Sequence, residues 1–169
     1  MKSSQGKLKT KGISLLVAAG VAAGVAAGAS LVAAVPATAA GPCGTGYTYI
    51  GSHPITVPTY SKDYRYGKPG TKTGSIDVYW NSTARKNCSV AYAYGPTYGI
   101  KMYRQNMIGN YPSYGPDDVS SGYYSYYAGP VYTNTQTAGG QCITLDASFG
   151  PNATDKSSWG AAFYSPVHC

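Results

Sequence analysis

Ser75-Ile76-Asp77-Val78-Tyr79-Trp80, a turn over residues 81–87, and then Cys88-Ser89-Val90-Ala91-Tyr92-Ala93-Tyr94 form the stretch that decides the fold class. In the first segment Ile76, Val78 and Trp80 alternate with Asp77 and Tyr79, the period of a strand with one face in the core and the other wet. In the second, Cys88, Val90, Tyr92 and Tyr94 fall on one face and the small Ser89, Ala91 and Ala93 on the other. Two such runs around a polar turn predict a β-hairpin.

Outward from the hairpin, Gly, Pro, Asn and Ser clusters break the chain roughly every eight to twelve residues, and no segment holds a helical period. Further strands are expected within 45–57, 98–107, 123–127, 131–135, 142–149 and 159–164. Residues 61–74 and 109–122 are expected as polar loops. The 98–107 strand puts Ile100, Met102 and Arg104 on one face and Lys101, Tyr103 and Gln105 on the other, and its charges predict an edge or solvent-facing position. The sum is an all-β protein, a small antiparallel β-sandwich of about seven or eight strands stapled by disulfides.

Composition supports β structure and an exported chain. Lys2, Lys7, Lys9 and Lys11 precede an uncharged run from Ile13 to Val35, which ends in Pro36-Ala37-Thr38-Ala39-Ala40. Small residues at Ala37 and Ala39 suit a signal peptidase, so residues 1–39 read as a secretory signal cleaved between Ala39 and Ala40, and residues 40–169 as one secreted domain. The run is rich in Ala and Gly and poor in Leu, which argues against a membrane anchor. Pro42 directly before Cys43 argues against lipidation. Without the leader, nine basic and six acidic residues remain, about +3 net, and the cations are scattered. That distribution excludes a nucleic-acid surface. All 18 tyrosines lie beyond the leader, with two Phe and two Trp. Tyrosine suits half-buried pleated surfaces, where the ring packs and the hydroxyl reaches water.

Cys43, Cys88, Cys142 and Cys169 are an even set in an exported chain with no Cys-x-x-Cys pair, which predicts two disulfides rather than zinc. Four cysteines allow three connectivities. Tying each element to a near neighbour in sequence favours Cys43 with Cys88 and Cys142 with Cys169.

No catalytic motif emerges. His53 and His168 lack a Gly-x-Ser-x-Gly elbow for serine chemistry, and read as a turn residue before Pro54 and a chain-end residue. Carboxylate-pair chemistry without Glu would rest on Asp63, Asp77, Asp117, Asp118, Asp146 or Asp155, most of them turn or strand residues. Asp117-Asp118 lacks the ligand series of a calcium loop. Asn81-Ser82-Thr83 and Asn152-Ala153-Thr154 match a glycosylation acceptor pattern but read as polar turns. The expectation is therefore no enzyme, no metal and no cofactor. Tyr123-Tyr124-Ser125-Tyr126-Tyr127 must send rings to both faces of its strand. With Tyr132 these rings are the candidate binding aromatics, able to stack on sugars or anchor a protein.

Tyr126-Tyr127-Ala128-Gly129-Pro130-Val131-Tyr132, Cys142-Ile143 and the closing His168-Cys169 resemble the secreted spore-associated protein A family of filamentous actinobacteria. Cys43-Gly44-Thr45-Gly46-Tyr47 and the hairpin from Tyr79-Trp80-Asn81 to Lys86-Asn87-Cys88-Ser89-Val90 follow the same pattern. The resemblance implies an exported, disulfide-bonded protein found with spores or aerial growth, with no catalytic residues to transfer. The Lys- and Tyr-bearing segment 61–74 and the high Tyr content depart from it. The leading expectation is a non-enzymatic extracellular protein of the spore or cell surface, meeting wall or spore-surface polymers or proteins through exposed Tyr and weak positive charge. A carbohydrate- or cell-wall-binding module comes second, and a secreted inhibitor of an extracellular hydrolase, presenting the loop 109–122, third. Once the signal is removed no membrane contact is expected, and the oligomeric state is open.

Overall fold

The computed structural model describes residues 40–113, 115–137, 141–154 and 159–169. The expected secretory signal over residues 1–39, with Ala39 of the expected cleavage site, lies outside the described residues, as does Asp155. Eight strands follow in chain order: β1 Thr48–Thr56, β2 Lys72–Asn81, β3 Lys86–Ala93, β4 Met102–Asn110, β5 Asp118–Tyr124, β6 Tyr127–Tyr132, β7 Ile143–Gly150 and β8 Gly160–Val167. The hairpin read from the alternation is β2–β3, in register from Gly74↔Ala93 to Asn81↔Lys86.

The sandwich expectation is overturned. All eight strands belong to one antiparallel sheet in the order β5-β4-β7-β8-β1-β2-β3-β6, nearly closed into a barrel. Its outermost strands, β5 and β6, are consecutive in the chain, joined at Ser125 and Tyr126, and side chains bridge them. Ser120 Oγ accepts from Gly129 N at 3.0 Å, and Asp118 Oδ2 accepts from Tyr132 N at 2.9 Å. Asp117 extends the seam, with Oδ2 accepting from Asn110 N and Asn134 N and Oδ1 from Asn134 Nδ2. Gly129, at φ 106°, lets β6 approach closely, since a Cβ there would stand 3.0 Å from Ser89 O. Alternation specifies which residues face inward in either architecture. The barrel is decided instead by the distant pairings β3–β6, β4–β7 and β1–β8, which no local pattern encodes.

An eight-stranded barrel is just wide enough for side chains to fill. Ile55, Ile76, Val78, Ala91, Ile108, Val131, Leu145 and Phe149 form one buried cluster drawn from six strands. Trp80, expected in the core, stays half-buried at the end of β2. A second, smaller cluster lies on the outer face of β3, where Cys43, Cys88 and Val90 pack with Tyr47, Tyr79, Tyr92 and Tyr132. The disulfides join Cys43 to Cys88 and Cys142 to Cys169, the connectivity favoured by sequence proximity. Both sit at the end of the barrel that carries the β2–β3 turn.

The opposite end is plugged by Arg104. The expected edge strand is in fact β4, paired on both sides by β5 and β7, and Arg104 is fully buried. Among the described residues no carboxylate pairs with it. Its Nε donates to Tyr124 O at 3.0 Å, and one terminal nitrogen, Nη2, donates to Thr97 O, Ile100 O and Ser125 O at 2.8, 3.0 and 3.3 Å. The guanidinium carbon lies 4.4 Å from the Phe149 ring centre, a cation–π distance. Burial lowers its pKa to about 10, so it remains charged at neutral pH. Main-chain carbonyls thus stand in for a counter-ion, and the cation ties the 3₁₀ turn Gly95–Thr97 and the β5–β6 connection to the barrel floor. The same end is covered by residues 57–71, held by Trp159 Nε1 donating to Asp63 Oδ2 at 2.9 Å and by the edge-on Tyr66–Trp159 pair.

Arg104→Met leaves four carbonyls without this donor and is expected to cost roughly 3 kcal/mol in urea unfolding of the disulfide-intact protein. Arg104→Lys should recover less than half of that, because an ammonium cannot reproduce the planar fork. An unchanged midpoint in Arg104→Met would contradict the plug.

Candidate functional site

Pairing of β4, β7 and β8 builds a polar and aromatic outer face. The register aligns Met107, Asp146 and Phe163 in one row and Gln105, Ser148 and Ala161 in the next. Phe163 is 68% exposed, the most exposed large apolar side chain of the described residues. Over this face run two adjoining hollows. One, of about 360 Å³, lies between β4, β8 and the 111–116 segment, with Tyr111, Thr144 and Ser165 in its walls. The other, of about 470 Å³, lies beside Thr59 and Tyr60 and has Ser148 in its floor. Both include Asp146 and Phe163, so they form one trough with an aromatic ring near its middle and Tyr111 and Tyr60 toward its two ends.

Ser148 lies in the floor of the trough. It is 4% exposed, and its Oγ has no hydrogen-bond partner. An unsatisfied buried hydroxyl costs free energy, and this oxygen is itself buried, so a ligand reaches it only where the floor of the trough opens. Flat aromatic faces flanked by single hydrogen-bonding groups suit a sugar ring, whose C–H face stacks and whose rim of hydroxyls pairs.

The aromatics singled out by sequence are not brought into this trough. Tyr123 packs edge-on to Tyr103, Tyr126 to Tyr98, and Tyr127 tilts against Tyr92. These three are about half exposed. Tyr124 donates to Ser121 O, and Tyr132 donates to Cys43 O while its ring meets Tyr47. Burial raises the Tyr47 and Tyr79 hydroxyl pKa values, and it pushes Tyr92 up to about 12, aided by Tyr79. Phe163 escaped the sequence reading because its setting comes from the pairing of β7 with β4, which lies far from it in the chain.

The two histidines are brought together from 115 residues apart. His53 lies within β1, not in a turn, and its Nε2 is 2.9 Å from His168 Nε2. They fill the gap where β1 and β8 diverge, since those strands share one register pair, Thr56↔Ala161. Tyr164 completes the filling, its ring 4.6 Å from His53 and its hydroxyl donating to Pro54 O. Gly51 makes room, because a Cβ there would stand 2.8 Å from His168 Cε1. His168 itself takes a left-handed φ of 50°, a conformation that costs a non-glycine residue about 1 kcal/mol. The partner of each histidine is the other ring rather than a carboxylate, so the Ser-His-Asp arrangement is not assembled. Asp117 and Asp118 are spent on the barrel seam. Among the described residues no group of three or more His, Cys, Asp or Glu is placed to hold a metal.

Burial lowers both histidine pKa values, and His53 lowers that of His168 further. The unfolded chain therefore binds protons that the folded pair resists, and the pair's contribution is complete above the ordinary histidine value near 6.5 and lost as pH falls below it. In EDTA, the urea midpoint should drop between pH 7.5 and 5.5, and His53→Gln should flatten that slope. Tyr164 titrates far above this window, its pKa raised by burial. An equal slope in the variant would contradict the assignment.

The chain is similar to spore-associated protein A of Streptomyces coelicolor, with 33% identity over 134 residues, 79% of this chain and 73% of that protein. No protein-family model matches the chain. No solved structure matches it.

Proposed function

Since the chain belongs to the spore-associated protein A family, we propose that it is a non-enzymatic extracellular protein of the spore or cell surface, holding wall glycan in the trough over β7 and β8. The observation that carries the reading is the Phe163 ring, 68% exposed and shared by the two adjoining hollows. The trough offers ring-stacking surface at Phe163 and the mutually bonded hydroxyls of Thr144 and Ser165, which retain further hydrogen-bonding capacity, the two contacts that a polysaccharide needs. The family relationship supports a surface setting, and the two disulfides support an oxidising one. The net charge of about +3 beyond the leader favours approach to anionic envelopes.

Isolated cell wall, peptidoglycan and chitin, each packed as a column, supply the test. The purified protein should be retained on at least one, and Phe163→Ala should weaken retention roughly tenfold, the scale of one lost stacking contact of about 1.4 kcal/mol. Flow-through on all three would overturn the proposal. Loss of retention in Tyr123→Ser/Tyr127→Ser with Phe163→Ala unaffected would overturn the trough and move the contact to the exposed tyrosines.

A further inference from the structure

We infer that the His53–His168 pair is a binding site for a divalent transition-metal ion of the copper(II) or nickel(II) type. The whole sequence contains two histidines, and the fold delivers their Nε2 atoms to 2.9 Å from opposite ends of the domain. The two Nε2 atoms stand at hydrogen-bond distance, so an ion enters only where that bond opens, and imidazole nitrogen suits copper(II) and nickel(II), which stand high in the affinity order of divalent first-row metals.

Supporting features converge on the same two atoms. The ring centres are 5.0 Å apart with the planes at 89°, so the rings meet nearly head-on and metal capture needs a modest swing of both. Proton bookkeeping is simple. In the metal-free pair one Nε2 donates its hydrogen to the other; on binding, that ring shifts its proton to Nδ1, and both Nε2 lone pairs face the ion. The absent side chain at Gly51 lets the His168 ring lie directly against the β1 backbone. The rival soft ligands are absent, because all four cysteines are in disulfides. Two protein ligands leave the other corners to water or to a ligand presented from outside, so the site is an exchangeable one at the β1–β8 gap. It is separate from the glycan trough and stands if that reading fails.

Copper(II) chloride and nickel(II) chloride titrated into the disulfide-bonded protein at pH 7.5 provide the test, followed by calorimetry and, for copper, by electron paramagnetic resonance. One equivalent should bind with two-nitrogen coupling in the spectrum, and affinity should fall roughly tenfold or more between pH 7.5 and 5.5 as protons compete. His53→Gln should abolish the two-nitrogen signature. His168→Gln should do the same, with circular dichroism confirming that each variant is folded. Absence of binding, or an unchanged spectrum in a folded His53→Gln variant, would overturn the inference.

Discussion

The rest of the structure depends on closing an edge. An antiparallel sheet of eight strands ends in two rows of unpaired amide and carbonyl groups, and such rows invite pairing with other chains. In this protein the two rows belong to neighbours in the chain, β5 and β6, and Asp117, Asp118 and Ser120 take up the amides of Asn134, Tyr132 and Gly129. Side-chain oxygens thus complete what backbone carbonyls do elsewhere in the ladder. Closure creates the single interior, and it brings the β5–β6 connection over one end of the barrel, where its carbonyls at Tyr124 and Ser125 receive the guanidinium of Arg104.

The two ends of the barrel are secured by different chemistry. At one, covalent links fasten residues 41–47 over the outside of β3 and tie the terminal Cys169 to the start of β7. At the other, a buried cation, an indole and a carboxylate do the work through hydrogen bonds and ring contacts. Between them the sheet is free to specialise its outside. Its β2–β3–β6 face is covered by packed tyrosines, while the β4–β7–β8 face is left as a trough. That division leaves rigid rims and one open wall.

Sequence reading reached local features and stopped at distant ones. The β2–β3 hairpin, the eight-strand scale and both disulfide pairs were legible, because alternation and sequence proximity are local signals. Arg104 misled, since a cation in a strand ordinarily marks an edge, and its four carbonyl partners come from elements outside its own strand. The segment 109–122 looked like one loop because Asp117-Asp118 and Gly115 are turn residues, yet β5 begins at Asp118 and uses those carboxylates as seam ligands. His53 before Pro54 read as a turn for the same reason. The run from Tyr123 to Tyr127 was legible as exposed aromatics. The trough was not, because Phe163, Asp146 and Tyr111 meet only after β4, β7 and β8 have paired.

Hydrogen exchange at two amides tests the closure most directly. If β5 and β6 are joined through Ser120 and Asp118, the Gly129 and Tyr132 amides exchange as slowly as ladder amides in β2–β3, and Asp118→Ala/Ser120→Ala speeds both by roughly tenfold or more while the β2–β3 amides stay protected. Rapid exchange of Gly129 and Tyr132 in the unaltered protein would show an open edge and contradict the barrel.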